Sequence, residues 1–158
     1  MGVDGRPRDD GIHSFLASRG ITLPPGSPHD SDDTDTVYAL GRRKTRLFLQ
    51  ALQKGIDPTL GAKELLNKLR AIGIKTAVGS SSKNTKAILH AAGITAHFDV
   101  CVDGNDMEAL GLLGKPDPAL FLEAARRLHV HPKRAVVFED ALAGVAAACL
   151  AGLRRRNK

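Results

Sequence analysis

The sequence is poor in aromatic residues and cysteine, and it lacks a long apolar run. Its 158 residues include no Trp, one Tyr and two Cys, Cys101 and Cys149. No segment approaches the roughly 18 apolar residues of a membrane helix, and Met1 to Arg8 contain no apolar run of the kind found in signal peptides. The cysteines form no C-x-x-C motif, so we expect two reduced thiols in or near the core. These features predict a cytoplasmic protein without membrane contact.

The positive charge is concentrated at the C-terminus. The net charge is +6, but four of the positive charges lie in the last five residues, 154–158. A nucleic-acid-binding face would spread its charge along a groove or helix and interleave it with aromatic residues. We therefore expect no nucleic-acid partner, and we expect the tail to be solvated and frayed.

Composition divides the chain near Pro58 to Gly61. Residues 1–57 predict two helices, Asp9 to Arg19 and Asp35 to Lys54, no strand, and a Pro/Ser/Asp-rich loop between the helices. From Gly61 onward helices and strands alternate. The predicted helices are Ala62 to Ala71, Asn84 to Ala92, Pro118 to Leu128 and one from about Ala143, and the predicted strands are Lys75 to Gly79, Asp99 to Val102 and Ala135 to Phe138. This alternation predicts an α/β fold with a parallel sheet and helices on its faces.

Three polar motifs follow predicted strands or precede predicted helices. In the first, Ser80 is the first polar side chain after a strand, and its hydroxyl could donate to a phosphoryl oxygen. Alternatively, Ser81 or Ser82 simply caps the next helix. In the second, Lys115 lies between Gly114 and Pro116 and could neutralise a phosphoryl group, or it could be a solvated turn lysine.

The third motif places two carboxylates directly after an apolar strand. Glu139 and Asp140 follow Phe138, and adjacent carboxylates at the end of a buried strand need a positive partner. Oxygen ligands of this kind suit Mg²⁺. The alternative is that Asp140 caps the following helix while Glu139 is solvated.

Together, the order and spacing of these motifs resemble the haloacid dehalogenase superfamily, and within it the β-phosphoglucomutase-like group of sugar-phosphate phosphatases and mutases. The resemblance implies a Rossmann-like core at residues 58–158 and a partial, all-helical cap at residues 1–57. It implies that Ser80 and Lys115 are catalytic and that Glu139 and Asp140 hold Mg²⁺. It also implies substrate contacts, on a small phosphorylated sugar, from Arg8, Lys44, Ser81, Lys83 and Asn84.

One family motif is missing. The resemblance implies an apolar strand ending in Asp-x-Asp, whose first aspartate attacks phosphorus, and no such strand precedes Gly5. The acidic stretch Asp30 to Asp35 follows a Pro-rich segment, which favours a solvated loop, and Asp4 and Asp103 occur in Val-Asp-Gly turns. In the family the missing strand lies between the strands that end at Ser80 and Glu139. Its omission would leave two strand edges unpaired or force the sheet to close up.

These observations leave two functions open. In the first, the chain belongs to a Mg²⁺-dependent phosphoryl-transfer enzyme, is truncated at both ends, and is inactive as given because no aspartate can form the phosphoenzyme. In the second, it is a non-catalytic remnant that binds phosphate ligands or a complementing chain. Phosphatase and mutase activity, the identity of the sugar, and the oligomeric state stay open.

Overall fold

A computed structural model describes residues 8–156, with side chains described from residue 11 to residue 154. Within this range the helices are α1 (Arg8–Ser18), α2 (Val37–Leu52), α3 (Ala62–Ala71), α4 (Thr85–Ala91), α5 (Gly104–Leu110), α6 (Ala119–Leu128) and α7 (Leu142–Leu150). The strands are β1 (Ala77–Gly79), β2 (Val100–Val102), β3 (Val136–Phe138) and β4 (Arg154–Arg156). Two short 3-10 turns cover Thr95–His97 and Pro132–Arg134.

The order of elements confirms the predicted α/β fold. Every predicted helix and strand is present, and the predicted boundaries differ from the observed ones by at most two residues. Two elements were not predicted, α5 and β4. The prediction of a frayed C-terminus is wrong for Arg154–Arg156, because these residues pair in parallel with β3. Asn157 and Lys158 lie outside the described residues. Residues 8–57 contain no strand, as predicted.

The strands form two separate parallel pairs. Strand β1 pairs with β2, with Val78 opposite Cys101, and β3 pairs with β4, with Val137 opposite Arg155. Within residues 8–156, no strand bonds to the second edge of β1 or of β3. Among the described strands the two pairs do not join, so the closed-up sheet that was one of the two expected outcomes is not observed there.

Helix α6 joins the two pairs. Its apolar face presents two neighbouring buried side chains, Leu120 and Phe121, to different clusters. Leu120 packs with residues of β1, β2 and α5, and Phe121 packs with residues of β3, α7 and the segment leading into β4. The core therefore has two parts, and α6 packs against both of them.

Hydrogen bonds order the acidic loop before α2. Thr36 caps α2 by accepting a hydrogen bond from the Ala39 N–H at 3.1 Å, and its own hydroxyl donates to Asp30 Oδ2 at 2.7 Å. Asp30 also accepts from the Ser27 N–H at 3.0 Å. These bonds lower the pKa of Asp30, the Ser27 backbone bond contributing most. Asp30 thus organises the turn while it stays partly exposed, and Asp33 and Asp35 are exposed, as expected for a solvated loop.

The cysteine prediction holds only in part. No disulfide joins Cys101 and Cys149, Cys101 is partly buried, and burial raises the pKa of its thiol. Cys149 is exposed, so its predicted place in or near the core is wrong. None of the helices within residues 8–156 combines the length and apolarity that crossing a membrane would require.

Candidate active site

Lys115 and Glu139 form a buried ion pair. Lys115 Nζ lies 2.7 Å from Glu139 Oε2, and the two side chains are only 6% and 13% exposed. The ammonium also lies 4.9 Å from the centre of the Phe121 ring, an attractive arrangement for a cation. The alternative of a solvated turn lysine is therefore wrong. The Gly-Lys-Pro segment holds a buried positive charge against the carboxylate that follows β3.

Glu139 folds over the start of α7. Its Oε1 accepts hydrogen bonds from the N–H groups of Asp140 and Ala141, at 3.2 and 3.0 Å. The space for this carboxylate exists because residue 144 is glycine: a Cβ on Gly144 would lie 2.1 Å from Glu139 Oε2. The predicted alternative, an Asp140 cap beside a solvated Glu139, is wrong, because Ala141 is the N-cap residue and Glu139 is largely buried and hydrogen-bonded.

The two carboxylates were predicted to hold Mg²⁺, and their bonding tests whether they could. A carboxylate offers about four lone-pair positions, and Glu139 uses three of them, for Lys115 Nζ and two backbone N–H groups. Asp140 is exposed beside it. No group of three or more His, Cys, Asp or Glu within the described residues could hold a metal ion. Mg²⁺ usually takes only one or two protein carboxylates and keeps several waters, so the fourth position of Glu139 and the Asp140 carboxylate would be enough to bind it.

The serine motif forms a tight turn between β1 and α4. The Ser80 N–H continues the strand pairing by donating to the Val102 carbonyl at 3.0 Å, and Ser80 Oγ accepts from the Ser82 N–H at 3.2 Å. Ser82 Oγ accepts from the Asn84 N–H at 3.1 Å. Asn84 is the N-cap residue of α4 but makes no side-chain cap bond, so the alternative in which Ser82 serves the start of this helix stays open.

Phe121 connects the serine turn with the ion pair. A Cβ placed on Gly79, the residue before Ser80, would lie 3.4 Å from the Phe121 ring, and the same ring lies under the Lys115 ammonium. Lys115 and Glu139 are thus in direct contact, and the strand that delivers Ser80 packs on the aromatic ring beneath them. All three predicted motifs meet at α6.

The predicted substrate-binding residues are more dispersed. Ser81 and Asn84 are partly buried in the serine turn, whereas Lys83 is exposed and its Nζ lies 2.9 Å from Glu108 Oε2 on α5. Lys44 is exposed on α2 and makes no hydrogen bond or ion pair with any described residue. Arg8 is the first residue of α1, but its side chain lies outside the described part. The roles of all these residues stay predictions.

A family model for haloacid dehalogenase-like hydrolases matches residues 10–152, which is most of the chain. The chain belongs to the haloacid dehalogenase-like hydrolases. This confirms the superfamily that the three motifs indicated.

Individual proteins and a solved structure also resemble this chain. A β-phosphoglucomutase of Mycobacterium bovis is 44% identical over 146 residues, 92% of this chain and 56% of the relative. A phosphorylated carbohydrates phosphatase of Thermotoga maritima is 36% identical over 114 residues, 71% of this chain and 49% of the relative. The crystal structure of CbbY from Rhodobacter sphaeroides in complex with phosphate superposes with a TM-score of 0.76 at 28% identity, covering 97% of this chain and 65% of CbbY. The chain thus spans about half to two thirds of the length of these relatives.

Sequence reasoning missed helix α5 of this haloacid dehalogenase-like chain. The predicted Val-Asp-Gly turn is instead the start of that helix. Asp103 is fully buried, its Oδ1 accepts from the Asp106 N–H, and Asp106 Oδ2 accepts from the Asp103 N–H in return. An Asp-x-x-Asp spacing is close to the capping-box pattern, so this signal was available in the sequence.

Proposed function

We propose that this chain carries the phosphate- and magnesium-binding part of a phosphoryl-transfer site for a small sugar phosphate. The observation that carries the proposal is the buried pair of Lys115 and Glu139 at the end of β3, held over the start of α7. A buried lysine fixed by one carboxylate is suited to stabilising charge on a transferring group. The names of the mycobacterial and Thermotoga relatives support a sugar phosphate as substrate.

In this proposal the core residues bind the reacting phosphoryl group. The Ser80 hydroxyl donates to a phosphoryl oxygen, and Lys115 neutralises negative charge near it. Ser81, Lys83 and Asn84 face the substrate from the same turn. Residues 1–57 act as a cap over residues 58–158. Within this cap Arg8 binds the non-reacting phosphate, and Lys44 belongs to a second basic element that contacts the substrate. The protein works in the cytoplasm.

Glu139 and Asp140 would hold Mg²⁺ in this site. The ion, when bound, would neutralise charge on the phosphoryl oxygens. Glu139 keeps Lys115 in place through its Oε2, so the same carboxylate links the lysine to the ion-binding end of the strand. Asp140 supplies the more exposed carboxylate.

We further propose that the 158-residue chain binds phosphate but does not turn over. Covalent phosphoryl transfer requires a nucleophilic carboxylate at the phosphorus atom. We expect none from the acidic loop, because no strand among residues 8–57 leads into it and three of its four carboxylates are bonded within the loop or to α2. Asp30 accepts from Ser27 and Thr36, Asp32 pairs with Arg42 at 2.7 Å, and Asp35 lies 3.6 Å from Arg43.

The test is hydrolysis of p-nitrophenyl phosphate and hexose phosphates by the purified chain, with Mg²⁺ and with EDTA, alongside phosphate binding. We expect phosphate binding that Lys115→Ala abolishes, and no hydrolysis. Hydrolysis that requires both Mg²⁺ and Lys115 would contradict the proposed inactivity and point to another carboxylate. Absence of phosphate binding by a folded chain would overturn the proposed site itself.

A second candidate function is the binding of a complementing chain, which the unpaired strand edges support. Strands β1 and β3 each have one edge with no strand partner among residues 8–156, and Val136 and Phe138 on β3 are 50% and 62% exposed. Unpaired edges of this kind accept an added strand. A synthetic peptide with an apolar strand ending in Asp-x-Asp should then raise the melting temperature and restore hydrolysis. A matching peptide with Asn-x-Asn should raise the melting temperature only.

A further inference from the structure

Helix α5 lies directly against the serine turn. The Gly104 N–H donates to the Ser82 carbonyl at 3.1 Å. A Cβ on Gly104 would lie 2.6 Å from the Ser81 carbonyl oxygen and 2.9 Å from the Lys83 nitrogen. The backbones of the turn and of the helix start are therefore in contact, an approach that only glycine permits at this position.

Two side chains of α5 hold Lys83 at its two ends. Asn105 Nδ2 donates to the Lys83 carbonyl at 3.0 Å. Glu108 Oε2 lies 2.9 Å from Lys83 Nζ, in a pair whose side chains are 52% and 70% exposed. The first contact fixes the backbone of the turn, and the second neutralises the ammonium that the substrate would meet.

Helix α5 is itself held in position by a capping residue and by an ion pair to α6. The buried Asp103 caps its start, accepting from the Asn105 and Asp106 N–H groups at 2.9 and 3.1 Å. Asp106 in turn lies 2.9 Å from Arg127 Nη2 on α6. The arginine and the Asp103 backbone bond lower the pKa of Asp106, the backbone bond contributing more. Asn105 therefore projects from a helix start that is fixed on both sides.

We propose that Asn105 and Glu108 are positioning residues for Lys83 and act on phosphate binding in opposite directions. Asn105 favours binding because it keeps the Ser80 to Lys83 backbone in one conformation. Glu108 opposes it because a phosphoryl group must compete with this carboxylate for the Lys83 ammonium. The inference rests on the proposed function, since it concerns the same phosphate site.

The experiment measures the dissociation constant of inorganic phosphate for the 158-residue chain, from the amide chemical shifts of Ser81 and Lys83 at low ionic strength. Asn105→Ala should weaken binding about fivefold, the effect of one hydrogen bond. Glu108→Gln should tighten binding about two- to fivefold, the range of an exposed ion pair. Asn67→Ala and Glu64→Gln are matched controls. Asn67 is exposed and hydrogen-bonded to His97, Glu64 is exposed on α3, and neither should change the constant.

A Lys83→Met background separates the two roles. There the Glu108→Gln effect should vanish, whereas the Asn105→Ala effect should persist, because Asn105 acts on the backbone. The inference is overturned if both variants match their controls, or if both weaken binding, as a general loss of structure would. If the unmodified chain does not bind phosphate, or if Ser80→Ala binds as well as the unmodified chain, the proposed function fails and this inference fails with it.

Discussion

Two sets of ion pairs in this chain differ in how far they are removed from water. Before α2, Asp32 pairs with Arg42 and Arg46, and the three side chains are 34%, 38% and 53% exposed. At the end of β3, Lys115 and Glu139 are 6% and 13% exposed. The first set contains three charged side chains that stay partly exposed, whereas the second contains two that are largely buried.

The difference shows why burial matters more than the number of charges for the free energy of an ion pair. Water screens an exposed pair, which contributes up to about 1 kcal/mol. A buried pair costs desolvation free energy to form, and breaking it leaves an uncompensated charge at a cost of about 3–5 kcal/mol. Acidic residues cluster before α2 and basic residues within it. The more buried of the two sets nevertheless lies elsewhere, between two residues 24 positions apart.

The largest expected effect comes from breaking the buried pair. Lys115→Met should lower the free energy of unfolding by about 3 kcal/mol, because it leaves the Glu139 carboxylate buried without its partner. Urea unfolding followed by circular dichroism measures this loss. Lys63→Met, at an exposed lysine, is the matched control and should change it little.

The double variant Lys115→Met with Glu139→Gln tests the cause. Because it removes both charges, it should be more stable than Lys115→Met alone. A single-variant loss below about 1 kcal/mol would mean that Glu139 is solvated after Lys115 is removed, and the contrast between the two sets would disappear.

A second prediction concerns the glycine that makes room for Glu139. Gly144→Ala should lower the free energy of unfolding by about 1–3 kcal/mol, because its Cβ would occupy the position of the Glu139 carboxylate. Urea unfolding again measures it. In a Glu139→Ala background the clashing atoms are absent, so the same substitution should be neutral or stabilising. A loss equal in both backgrounds would show that Gly144 is required for another reason.

The sequence predicted the long elements well because their signals are local. The capped, amphipathic helices α2 and α6 and the short apolar strands carry their own periodicity. Strand β4 was missed because three consecutive arginines give no apolar signal, and only pairing with β3 makes Arg154–Arg156 a strand. Helix α5 was missed because Val-Asp-Gly also fits a turn.

The candidate site was predicted in its residue types but not in its contacts. The strand-end positions of Ser80 and Glu139 follow from the α/β pattern, and the constrained position of Lys115 follows from its glycine and proline neighbours. The ion pair could not be predicted, since it depends on how α6 and α7 pack. Likewise, the sequence does not reveal that Phe121 lies beneath both the lysine and the end of β1.

A smaller effect is expected from the exposed set. Asp32→Asn removes the charge that faces Arg42 and Arg46, and it should lower the free energy of unfolding by no more than about 1 kcal/mol. About 1 M NaCl should abolish the difference by screening. Asp33→Asn, at an exposed neighbour, is the control. A loss that persists in high salt would mean that Asp32 acts through hydrogen bonds, and exposure alone would no longer separate the two sets.

Glu123 on α6 combines a largely buried carboxylate with two more exposed arginines, and its predicted effect is as small as that of Asp32. Its side chain is 10% exposed and lies 2.7 Å from Arg126 and from Arg127, which are 71% and 28% exposed. The hydrogen bonds from Arg126 and Arg127 lower the pKa of Glu123 to about 2, from an ordinary value of 4.5. A lowered pKa means that the folded state favours the charged form, so the stabilisation is complete above pH 4.5 and is lost as the pH falls towards 2.

Melting temperatures of the unmodified chain and of Glu123→Gln, recorded against pH, test this mixed case. At pH values above 5, the unmodified chain should have a melting temperature at most about 4 °C higher than that of Glu123→Gln. In acid, the two melting temperatures should become equal. Glu64→Gln, on the exposed face of α3, should show no such convergence. A difference that stays constant down to pH 3 would mean that Glu123 stabilises α6 by packing. In that case Glu139 would stabilise the fold through its charge, whereas Glu123, a carboxylate of similar burial, would not.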